Sequence, residues 1–143
     1  MATSTSRRVS NLVTLRPDTQ LIPAPVTAGD SLGANTIAGL NATSGEVEVF
    51  NSSNSYNGFV VVLDEIEGDG GVPEQGQSLA RKAVIRCACA EASPTWASHG
   101  LVPAYLTGDA EVSNTDNASA NPEVGLILEV DEDADEVYVL VNK

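Results

Sequence analysis

The sequence is poor in the groups that enzymes use most. Among 143 residues there is one histidine, two cysteines and one tryptophan. Histidine is the commonest general base near neutral pH, and one copy leaves few catalytic constellations to build. No GxxxxGK[ST], GxSxG or HExxH pattern occurs, and Gly68-Asp-Gly-Gly71 is not followed by a lysine. Aromatics make up only 4%, so the core has to be aliphatic. Cations are scarce too: 7 Lys+Arg face 20 Asp+Glu, a net charge of −13. Nucleic-acid phosphates and anionic membranes are both bound through Lys and Arg, so neither partner is expected. No run approaches the about 18 apolar residues of a membrane-spanning helix. After Arg7-Arg8 there is no apolar stretch of the kind a secretory signal needs, so synthesis and retention in a cytoplasm are expected. None of this amounts to disorder, because 42% of residues are hydrophobic and only 19% charged. The length suits one domain that folds without metal or disulfide.

The few cations are unevenly placed. Residues 1–16 hold Arg7, Arg8 and Arg16 and no acid; the remainder holds all 20 acids and four bases. The chain thus divides into a basic arm, residues 1–20, and an acidic body, residues 21–143. The arm is read as flexible, and as dispensable for folding. Its apolar residues Val9, Leu12, Val13 and Leu15 make it able to pair as a strand. Pro17, Pro23 and Pro25 keep the lead-in extended.

The body reads as mainly β, a small sandwich or barrel-like fold built from hairpins with little helix. Val137, Val139 and Val141 alternate with Tyr138, Leu140 and Asn142, and should form a hairpin with 124–130 across an acidic turn. That turn fails the EF-hand pattern, since Glu136 falls where glycine is needed, and reads as a solvated tip. Residues 77–92 are Ala-rich, which favours helix, yet Ala83, Ile85, Cys87 and Cys89 alternate, which favours strand; strand is the preferred reading. A weak duplication relates Gly45-Glu-Val-Glu-Val-Phe-Asn51 to Gly108-Asp-Ala-Glu-Val-Ser-Asn114. Each copy leads through a polar loop into an apolar run, and each is read as a strand–loop–strand hairpin.

Candidate chemistry is thin. Cys87, Cys89 and His99 lack a fourth Cys or His ligand and the usual paired spacing, so no metal and no cofactor are expected. The two cysteines read as small buried apolar residues, and His99 as a loop or surface residue with Ser93 and Ser98 nearby. Glu46/Glu48 and Glu65/Glu67 are carboxylate pairs of a kind common on acidic strands. Trp96 is read as a core plug or a subunit-interface residue, because a lone tryptophan is normally spent on packing.

The order Gly108-Asp-Ala-Glu-Val112, polar loop, Val124-Gly125-Leu-Ile-Leu128 and terminal strand ending Leu140-Val-Asn142 resembles the head-decoration, or capsid cement, proteins of tailed bacteriophages. The region from Leu21 to Phe50, with Ala28-Gly-Asp30 and Gly33, is similar to their opening. The long polar segment 51–58 and the Gly-rich loop 67–76 depart from it. The resemblance implies a non-enzymatic β-rich homotrimer on the outer capsid surface of a virion, made in the host cytoplasm and clamping the major capsid protein. Residues Arg7, Arg8, Val9, Leu12, Val13, Leu15 and Arg16 would then form the capsid-binding arm. A carbohydrate- or receptor-binding β module of a virion is the alternative, and it requires Trp96 with Tyr56 or Tyr105 to face solvent.

Overall fold

The computed structural model describes residues 20–74 and 78–142, together with the backbone of Val13–Leu15. Arg7, Arg8, Val9, Leu12 and Arg16 lie outside the described residues. The elements are β1 (Val13–Leu15), β2 (Ser31–Leu32), β3 (Thr36–Asn41), β4 (Val47–Val49), β5 (Tyr56–Val62), β6 (Ile66–Glu67), β7 (Leu79–Ala80), β8 (Ala83–Cys89), α1 (Trp96–His99), β9 (Pro103–Gly108), β10 (Glu111–Ser113), β11 (Glu123–Asp131) and β12 (Glu136–Val141). The protein is mainly β, as its β-branched alternation predicts.

Strands β8-β10-β9-β11-β12 form a barrel, closed where β12 pairs back onto β8 from Glu136↔Ala88 to Val141↔Ala83. The barrel is antiparallel except for the short parallel β8–β10 pairing. A half-barrel sheet, β4-β3-β5-β7, packs beside it, and β2 with β6 makes a small ribbon. The predicted C-terminal hairpin forms, with Val137, Val139 and Val141 fully buried. Leu79–Ala80 and Ala83–Cys89 are strands: Ala83, Ile85 and Cys87 point into the barrel, while Val84 faces outward opposite Leu140. Helix propensity from alanine loses here because the alternating apolar face has a core to enter.

Two cores result. Ile37, Phe59 and Val61 join Ile85, Leu106, Val112, Ile127 and the three valines of β12. Val60, Val62 and Ala38 turn the other way, against Val26, Leu32, Val47, Ile66 and Leu79. Strands β3 and β5 are thus covered on both faces, which is why Phe59-Val-Val-Val62 is continuously apolar rather than alternating. Each such side chain contributes about 1.5–3 kcal/mol when fully buried.

The duplicated segments are not hairpins of the expected kind. The strand after Gly45 does not pair with the strand after its polar loop; β4 and β5 flank β3. In the second copy β10 and β11 flank β9 in the same way. The repeated unit is a three-stranded one whose central strand precedes the duplicated motif. The polar loop therefore carries the chain across that central strand. Gly125 is required in β11, because a side chain there would run into the Leu140 carbonyl of β12. In β3, Tyr56 lies against Gly39, where a Cβ would collide with its ring.

The acidic turn is less solvated than its composition suggests. Glu132, Asp133 and Asp135 are exposed, but Arg86 gathers the two flanking acids. Its Nη2 lies 2.5 Å from Asp131 Oδ2 and its Nε 2.8 Å from Glu136 Oε1, with the guanidinium 5.5 Å from the Tyr138 ring centroid. Glu136 is only 4% exposed, so Arg86→Ala takes the countercharge from a buried carboxylate. We expect a loss of about 3 kcal/mol in chemical denaturation.

Strand β1 pairs with β8 at Val13↔Ile85, Thr14↔Val84 and Leu15↔Ala83. One side of β8 is filled by β12, so β1 and β10 share the other, end to end. Deleting residues 2–12 should leave the unfolding midpoint unchanged. Extending the deletion to residue 16 uncovers half of that edge and should cost about 1–3 kcal/mol, with the fold retained.

Candidate functional site

The densest cluster of chemically capable side chains among the described residues lies where β8 ends. Beyond Cys89 the chain turns through Glu91 and Pro94 into α1, which has only four residues. A helix so short has no stability of its own. It is held by a capping box: Thr95 Oγ1 accepts from the Ser98 N–H at 3.2 Å, and Ser98 Oγ accepts from the Thr95 N–H at 3.0 Å. Glycine follows the helix, and Leu101 N–H then donates to the Ile127 carbonyl of β11 at 2.9 Å. The turn is thereby fixed to the barrel at both ends.

His99 is 2% exposed, which corrects its reading as a surface residue. Its Nε2 lies 3.0 Å from Glu91 Oε1 and 3.3 Å from Cys89 Sγ, and its Nδ1 lies 2.7 Å from Ser98 Oγ. Glu91 is held from the barrel side as well. Ser113 Oγ donates to its Oε2 at 2.7 Å and the Asn114 N–H to its Oε1 at 3.0 Å. Burial opposes the Glu91 charge, yet the hydrogen bonds from Ser113, His99 and Asn114 outweigh it and hold the carboxyl below its usual range. Burial pushes the Cys89 thiol up to about 11, with the charges of Glu91 and Glu111 adding to the effect.

These facts fit poorly with a nucleophilic relay. Such a relay places nucleophile and acid on opposite ring nitrogens, whereas Cys89 and Glu91 share Nε2. A thiol raised to about 11 is also almost wholly protonated at neutral pH. Cys87 is absent from the cluster, since it points into the barrel core, and neither cysteine is in a disulfide. The set weighed and set aside in the sequence was Cys87, Cys89 and His99; the residues brought together are Cys89, Glu91 and His99. Glu91, Ser113 and Asn114 escaped the sequence reading. The Cys89-x-Glu91 spacing was the one available signal, because it keeps the two side chains close in sequence where β8 ends.

Trp96 is 51% exposed, so it is not a core plug. Its indole lies across Gly100, where any Cβ would strike the ring. Next to Gly100, Leu101 is 60% exposed and has φ 57°. Tyr56 packs with Phe50 and Phe59 at centroid distances of 5.7 and 5.4 Å, and its hydroxyl donates to Glu48 at 2.9 Å. Its own hydroxyl is pushed up to about 12, mainly by burial. The carboxylate pairs are engaged separately. Glu46 accepts from Thr27, Glu48 from Asn41, Asn54 and Tyr56, and Glu67 from Ser31. Glu48 also borders an open groove of about 530 Å³ with Asp30, Phe50 and Thr107. Of the arm residues, Val13 and Leu15 are placed by their backbone on β8. No helix among the described residues is long and apolar enough to cross a membrane.

No family model matches the chain, and no curated protein matches it.

Glu91→Gln keeps the side-chain shape and removes the charge that Ser113, His99 and Asn114 stabilise. In chelator-treated protein at neutral pH it should unfold about 1–3 kcal/mol more easily. A lowered carboxyl contributes stability above its unfolded-state value and loses it as pH falls through its folded value. Urea titrations of the two proteins should therefore converge below the ordinary carboxylate range.

Proposed function

We propose that this protein is a structural decoration protein that binds the outer surface of a phage capsid and stabilises its coat lattice as a homotrimer. The observation that carries the reading is the exposed pair Trp96 and Leu101 on a turn fixed at both ends. A leucine at φ 57° costs about 1 kcal/mol or more, and exposure gives that energy no return within one chain. Tryptophan on a rigid support is the residue type most enriched in interface hot spots. The resemblance of residues 20–142 to capsid cement proteins supplies the partner class. The acidic body keeps free copies apart before assembly, and repetition of one contact around a lattice gives avidity.

The arm has a division of labour under this reading. Val13 and Leu15 sit in the strand that pairs with β8 and anchor it. Arg7, Arg8, Val9 and Leu12, together with Arg16, engage the major capsid protein, in part by adding to a sheet edge. Exposure of Trp96 also satisfies one requirement of the second reading, a carbohydrate- or receptor-binding module. Tyr56 is turned into an aromatic cluster instead, which leaves Tyr105 as the one remaining tyrosine for such a platform.

Trp96→Ala should weaken self-association or capsid binding at least about tenfold, a typical hot-spot loss of 1.4 kcal/mol or more, with unfolding nearly unchanged. Leu101→Gly should do the same while stabilising the isolated chain by about 1 kcal/mol. Sedimentation with capsids before and after expansion reads both. A stable monomer with no affinity for either capsid form overturns the proposal, and hits on a glycan array would favour the second reading.

A further inference from the structure

We propose that Cys89, Glu91 and His99 form a zinc(II) site with three protein ligands and a fourth position open to water or a partner's side chain. The three ligand atoms all lie within 4.8 Å of one another. Their separations are 3.0 Å for Nε2–Oε1, 3.3 Å for Nε2–Sγ and 3.7 Å for Sγ–Oε1. Tetrahedral zinc with its usual bond lengths to nitrogen, oxygen and sulfur has ligand–ligand edges of about 3.3–3.6 Å. An ion fits this triangle with movements of a few tenths of an ångström.

The hydrogen-bond accounting points the same way. Ser98 Oγ lies 2.7 Å from His99 Nδ1, 3.1 Å from Thr95 Oγ1 and 3.2 Å from the Thr95 carbonyl, and accepts from the Thr95 N–H. Without a metal, a proton lies between His99 Nε2 and Glu91 Oε1, 3.0 Å apart. With the ring proton on Nδ1 and donated to Ser98, the Nε2 lone pair faces Glu91 and Cys89 as a ligand. A cation can then take the place of that proton, and a thiolate beside imidazole and carboxylate favours zinc over magnesium or calcium. The surrounding bonds have the form of an outer coordination shell. Ser98 orients the histidine, while Ser113 and Asn114 orient the glutamate. Binding would release the Cys89 thiol proton to solvent as the S–Zn bond forms.

Nothing in this assignment depends on the capsid reading. The test uses the full chain, stripped with chelator and titrated with zinc in excess magnesium, with a chromophoric competitor as readout. One equivalent should bind and raise the melting temperature. Cys89→Ser and Glu91→Gln, both close in shape to the native residues, should each weaken binding by at least about 100-fold, and Ser98→Ala by about tenfold. Cobalt(II) in place of zinc should show thiolate-to-metal charge-transfer absorption that Cys89→Ser abolishes. Failure to bind one equivalent, displacement by magnesium, or unchanged affinity in folded Cys89→Ser would overturn the site. In that outcome a proton alone bridges His99 and Glu91.

Discussion

Strand β8 has two sides and three hydrogen-bonding neighbours, and the architecture depends on how they share it. Along one side β12 pairs from Ala83 to Ala88. On the other, β1 takes Ala83 to Ile85 and β10 takes Ala88 and Cys89. A closed barrel has no free edge, which is the usual protection against unwanted pairing. Here closure through β10 is only two residues long, so β1 completes it. The same strand holds Ile85 and Cys87 in the core, Arg86 on the outer face and Cys89 at the polar cluster. Core, surface ion network and candidate metal site are therefore fixed by one register.

The half-barrel depends on the barrel in turn. Strands β3 and β5 bury side chains on both faces, so neither has a solvated side to stabilise them alone. Asn142, at the end of β12, joins the two parts directly. Its Nδ2 donates to the Phe59 carbonyl at 2.7 Å and to the Arg81 carbonyl at 2.5 Å. Residues 81–82 are the turn through which the chain passes from β7 into β8, so this one amide ties the crossing to the last strand.

The α1 turn shows how a few polar bonds place an apolar surface. Its backbone is held by the Thr95–Ser98 box and its underside by His99, Glu91 and Ser113. Trp96 and Leu101 are left exposed on the outside of this turn. The exposed pair and the buried cluster are two faces of the same segment, 89–101. A zinc ion bridging Cys89, Glu91 and His99 would stiffen the support on which Trp96 is presented.

The sequence by itself determined the β character, the C-terminal hairpin and the strand through Ala83–Cys89, because alternation records one buried face and needs no partner to be identified. It also carried the split between a basic arm and an acidic body, since charge is counted residue by residue. Tertiary structure alone decided how the strands pair. The duplicated motif looked like two hairpins, but each polar loop crosses a central strand, and pairing across a third strand leaves no local mark. His99 looked exposed because its neighbours in sequence are polar; the groups against it are Cys89 at the end of β8 and Glu91 just beyond, and its helix packs on β11. Asp131 and Glu136 looked like a solvated tip because Arg86, which binds both, lies 45 and 50 residues away. Trp96 looked destined for packing, and only the placement of its turn, capped by Thr95 and Ser98, leaves it half exposed.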